Sequence, residues 1–196
     1  MNTADRLPAL DPTTWTAAQR VCAEEIMQGP RRALISPFVP LLRSPELCTH
    51  AQRMGEYLRY RSAIGLRLSE LAILVTARCW DQQVEWSIHA PIAEREGIAP
   101  ALVKAIEQQQ VPLFDKADER LVYEVARQLL QDRRVDDRTW AAAAAQLGEQ
   151  GVVDLTGIVG YYTMLSLVMN GAQTPPPANC ERRLPPGHEP RLQKAA

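Results

Sequence analysis

An all-α fold follows from three features of the 196-residue sequence. Apolar side chains recur at three- and four-residue spacing through most of the chain, and the strict alternation that marks strands is almost absent. Glycine, proline and short polar residues cut this pattern into segments of helical length.

The first expected helix runs from Thr14 to Gln28, with Trp15, Ala18, Val21, Cys22 and Ile26 at helical spacing, and Gly29-Pro30 stops it. A turn-rich loop from Gly29 to Pro40 holds Arg31 and Arg32. The next helix spans Pro45 to Arg61, with Ser44 as cap and Pro45 in the first turn, where its missing N–H costs nothing. Ser69 to Trp80 is apolar almost all round and should be buried. Asp81 then caps a helix ending near Gly97, and Pro91 inside it should kink it and free the Ser87 carbonyl. Pro100 to Gln108, Asp118 to Gln131, Asp136 to Leu147 and Val152 to Met169 complete the run. The last carries few charges, which suits a central helix or a subunit contact.

Three regions result: an N-terminal helical segment over 1–29, a helical domain over 30–173, and a proline-rich tail over 174–196 expected to be irregular. A shift of 49 residues superposes Glu70 on Glu119 and Ala77-Arg78 on Ala126-Arg127, which fits a duplicated helical hairpin.

Twenty-two Lys and Arg against 23 Asp and Glu leave nothing to attract a polyanion, so a small ligand is expected rather than nucleic acid. Cys22, Cys48, Cys79 and Cys180 are scattered without a CxxC, which speaks for reduced structural thiols rather than a zinc site or disulfide framework. Met1 to Trp15 reads neither as a signal peptide nor as a membrane span, so a cytoplasmic, membrane-free protein is expected. With only His50, His89 and His188, and no GxGxxG in the Gly151 to Gly160 segment, no metal and no cofactor is expected.

Glu85 and His89 stand four apart, on one face of a helix, where a carboxylate can orient and charge-stabilise an imidazole for proton transfer. Gln82 joins their stripe, the helix N-terminus could receive an anionic substrate group, and a short connection at Trp80-Asp81 would fold Glu70 back against them. Spacing alone leaves open, and favours, a structurally satisfied pair.

The stretches Leu68 to Arg78, Val84 to Pro91 and Glu94 to Ile98 resemble the carboxymuconolactone decarboxylase family, over about Pro30 to Pro175. The resemblance implies an AhpD-like helical bundle, homo-oligomeric assembly and a place in aromatic-compound breakdown. In the family's alkylhydroperoxidase branch a glutamate is followed by CxxC and a histidine four residues after the second cysteine. Here Glu70 and His89 match the outer positions, while Gln82 and Glu85 stand where the cysteines would be. Peroxide reduction by that route needs an attacking and a resolving thiol, and neither is present. The decarboxylase branch keeps a glutamate four residues ahead of the histidine, as this chain does.

The activity implied is cofactor-free decarboxylation of a carboxylated lactone or related enolisable acid. His89 would donate the proton, Glu85 would hold it, and Glu70 would tune the histidine or shuttle protons. Gln82, Trp86, Phe38, Tyr161 and Tyr162 would line the substrate site, with Arg31, Arg32 and Arg61 as candidates for gripping its carboxylate. A thiol peroxidase and a non-catalytic helical binding protein are the alternatives.

Overall fold

The computed structural model describes residues 5–178, 180 and 182–185. Among these the chain is all-α: α1 Ala17–Gln28, α2 Phe38–Leu41, α3 Pro45–Tyr60, α4 Gly65–Cys79, α5 Gln83–Arg95, α6 Pro100–Glu107, α7 Ala117–Gln131 and α8 Asp137–Ala172. A 3-10 turn, Pro12–Thr14, precedes α1.

α4 is the axis of the bundle. Its residues from Leu68 through Arg78 are all buried, because α3, α5, α7 and α8 pack around it. A helix covered on every side presents no polar stripe, which is why its sequence is apolar almost all round. The few polar residues it carries must therefore find partners inside. Ser69 Oγ donates to the Gly65 carbonyl (2.8 Å), and Glu70 meets a histidine.

Local chemistry moved several helix ends. Asp11 caps the 3-10 turn that contains Thr14, so α1 begins after Thr16, which forms a capping box with Gln19. Ser69 is spent inside α4, which starts one turn earlier than its polar residue suggests. Ser44 makes no side-chain cap, although Pro45 occupies the first turn of α3 as expected. Asp81 adopts a left-handed conformation (φ 49°) and pairs with Arg78, leaving Gln82 to cap α5. α5 continues as one helix across Pro91. The two expected helices Asp136 to Leu147 and Val152 to Met169 lie in α8, broken by non-helical backbone at Gly148 (φ 74°), which only glycine adopts freely.

α4 and α7, the helices that share the 49-residue echo, pack against each other, and each is followed by a helix packed on it. Glu70 and Glu119 are both buried, as are Arg78 and Arg127. By length and composition α8 could cross a membrane, yet 56% of its most apolar window is buried in the bundle. Asp154 within it is buried too, and accepts from the Ala63 amide (2.7 Å) and the Tyr57 hydroxyl (3.0 Å). The described part of the tail has no helix and lies along α5, where Gln83 and Leu184 exchange two 3.0 Å hydrogen bonds and Arg182 grips Glu94.

At Gly55, α3 packs directly against Tyr161 of α8. A Cβ there would run into the ring and hydroxyl of Tyr161, which is itself buried. Gly55→Ala is therefore expected to lower stability by about 1–3 kcal/mol despite alanine's better helix propensity. Gly160→Ala, with nothing in the way, should hold or gain stability, and thermal unfolding of the two variants checks the contrast.

Candidate functional site

Where α3, α4, α5 and α8 meet, the sequence-expected trio converges. His89 Nδ1 lies 2.6 Å from Glu70 Oε2, and His89 Nε2 lies 3.2 Å from Glu85 Oε2. The imidazole is thus held at both nitrogens by carboxylates, one from its own helix and one from the preceding helix. All three side chains are at least 95% buried. Arg59, from the last turn of α3, approaches the other Glu70 oxygen at 3.4 Å. Tyr162 presents its ring edge-on to His89, with centroids 5.2 Å apart, and Tyr161 stacks edge-on against Tyr162 in turn.

Burial by itself would drive His89 toward the neutral form. The negative charge and hydrogen bond of Glu70, then those of Glu85, outweigh it and raise the pKa to about 9. His89 is therefore an imidazolium at neutral pH, donating from both nitrogens. Because its ordinary value is 6.5, the charge stabilises the fold fully below pH 6.5 and ceases to do so as pH rises through about 9. A shift of this size corresponds to roughly 3 kcal/mol. Chemical denaturation across that window should show the loss as a slope, and His89→Gln should flatten it. Burial holds the phenols of Tyr161 and Tyr162 above their ordinary range, so both remain neutral hydrogen-bond donors.

Glu85 and His89 open on a cavity of about 150 Å³. Its walls are the Pro30 to Phe38 loop, Arg59 and Tyr60 from α3, Ile88 from α5, and Tyr161, Tyr162 and Leu165 from α8. That volume admits a single benzene-sized ring. Glu85 Oε1 and the Tyr161 hydroxyl are buried at this wall with no partner. Buried polar atoms without partners are uncommon in folded proteins, and these two are placed to meet a ligand. Arg31 lies over the Phe38 ring (4.7 Å) and donates to the Gln52 carbonyl (3.3 Å), which leaves further guanidinium donors for the cavity.

Four sequence-expected contacts lie elsewhere. Gln82 is not a cavity residue: its oxygen caps the Val84 amide and its nitrogen donates to Asn170, both at 2.7 Å. The same cap occupies part of the helix N-terminus that an anion was expected to use. Trp86 is packed in the core, 1% exposed, and does not line the cavity. Arg32 is exposed, with left-handed backbone (φ 56°), and does not line the cavity. Arg61 is exposed at the end of α3 and pairs loosely with Glu56 at 3.9 Å. Cys79 does not line the cavity, and burial and then Asp81 push its thiol up to about 11.

Arg59 is the residue the sequence reading missed. A signal existed: Cys48, Gln52, Gly55 and Arg59 form one helical stripe, and its first three members are buried. Arg61, two residues on, falls off that stripe. Among the described residues no group of three or more His, Cys, Asp or Glu is arranged to hold a metal, and both His89 nitrogens are already engaged. No family model, curated protein or solved structure matches the chain.

Proposed function

We propose that this cavity performs cofactor-free decarboxylation of a small carboxylated ring compound whose anion is stabilised as an enolate. The observation that carries the reading is the imidazolium of His89, clasped between Glu70 and Glu85 at the wall of a ring-sized cavity. The resemblance in the Glu70, Glu85 and His89 segments points the same way.

Charge supports an anionic substrate. The imidazolium and Arg59 balance the two carboxylates, and Arg31 remains as the uncompensated cation on the wall. The substrate carboxylate breaks its carbon–carbon bond and leaves as carbon dioxide, and the electron pair passes into the ring as a dienolate. The His89–Glu85 pair then delivers one proton to carbon, leaving a neutral imidazole that solvent recharges. Glu70 holds the ring in place throughout and keeps the proton available at neutral pH. The apolar faces of Phe38, Tyr162 and Leu165 strip water from the departing carboxylate.

Carbon dioxide release from carboxymuconolactone and related carboxylated lactones tests this, beside a peroxide-reduction assay with a dithiol donor. Decarboxylation that collapses in Glu85→Gln and His89→Gln is expected; turnover retained in both would sink the mechanism. The two arginines give a finer check. Arg31→Gln should raise KM about 10- to 100-fold with kcat little changed, as loss of a charged hydrogen bond to bound substrate does. Arg61→Gln should leave both constants alone.

A further inference from the structure

Two of the four scattered cysteines meet. Cys22 on α1 and Cys48 on α3 are free, 1% and 0% exposed, and lie in the contact between these packed helices, close enough for each thiol to feel the other's charge. The register around them is held on both sides. One turn earlier on α1, Gln19 Nε2 donates to the Leu42 carbonyl (3.2 Å), in the short connection that leads into α3. One turn later, Glu25 accepts from Arg53 Nε (2.6 Å) and from Gln52. The two helices therefore run side by side in the same direction, with the thiols between two clamps. α1 continues through Gly29 into the Pro30 to Phe38 loop, one wall of the cavity.

We propose that Cys22 and Cys48 form a reversible disulfide that locks α1, and with it the cavity's mouth loop, onto α3. The oxidant is a small-molecule disulfide of the glutathione type. One thiolate attacks it and expels a thiol, and the second cysteine displaces the other half. Overall the pair loses two protons and two electrons, one Sγ–Sγ bond forms, and the oxidant leaves as two thiols. Burial pushes the Cys48 thiol up, so attack proceeds when α1 lifts from α3 and is slow in the closed protein.

The test uses the full chain with Cys79→Ser and Cys180→Ser, so that only the pair remains, and the wild type in parallel. Each is incubated with oxidised glutathione, digested without reduction and mapped by mass spectrometry. A linked peptide containing Cys22 and Cys48, two hydrogens lighter and reopened by dithiothreitol, is expected in both proteins. The linked form should melt about 10 °C above the reduced one, from the closed loop of roughly 25 residues. Persistent glutathione adducts on either cysteine alone would overturn the proposal. So would thiols that oxidise only in denaturant, or a linked form that melts below the reduced one.

Discussion

Glu70→Gln should lower stability by about 3–5 kcal/mol at neutral pH, the usual cost of removing one partner from a buried ion pair. Glutamine keeps the volume and one hydrogen-bond acceptor, so the loss is one of charge. Glu70 is fully buried and faces both the His89 imidazole and the Arg59 guanidinium. Without it the burial that works against the imidazolium is opposed by Glu85 alone, and the His89 pKa falls from about 9 toward or below its ordinary 6.5. The deficit should shrink above pH 9, where the wild-type imidazole has also lost its charge. Denaturant unfolding of both proteins at neutral and alkaline pH measures it.

His89→Gln should lower kcat for decarboxylation by about 10²- to 10⁴-fold, the range expected for removing a general acid. Glutamine can still hydrogen-bond Glu70 and Glu85, so circular dichroism should be unchanged, which separates lost chemistry from lost fold. The wild-type rate should fall on the alkaline side as the donor empties near pH 9, and in Glu70→Gln that limb should move to lower pH. Circular dichroism and kcat against pH together check this. An alkaline limb in the same place in both proteins would detach Glu70 from the proton donor.

Much of this was legible because it is local. The helices follow from periodicity, and the Glu85–His89 pair follows from helix geometry alone. Glu70 could be placed because so few residues separate α4 from α5. Errors arose where a polar residue takes a partner that spacing does not announce, whether a neighbour a turn away or a side chain from elsewhere in the fold. Ser69 looks like a cap but is bonded inside its own helix, and Asp81 looks like a cap but turns to Arg78. Gln82 sits on the expected stripe, yet Asn170 from α8 draws it away from the cavity. Arg59 reaches Glu70 only because α3 packs on α4, and Cys22 meets Cys48 only because α1 lies along α3. Spacing along the chain carries no trace of such contacts between helices; the stripe each residue shares with buried neighbours does.

The centre of the site is an imidazolium held between two carboxylates. Nitrogen-15 and proton NMR of the His89 ring across a pH titration tests this most directly. Both ring nitrogens should carry protons at pH 7, with a midpoint near pH 9 that drops in Glu70→Gln. A neutral ring with one protonated nitrogen at pH 7, titrating at or below 6.5, would contradict it.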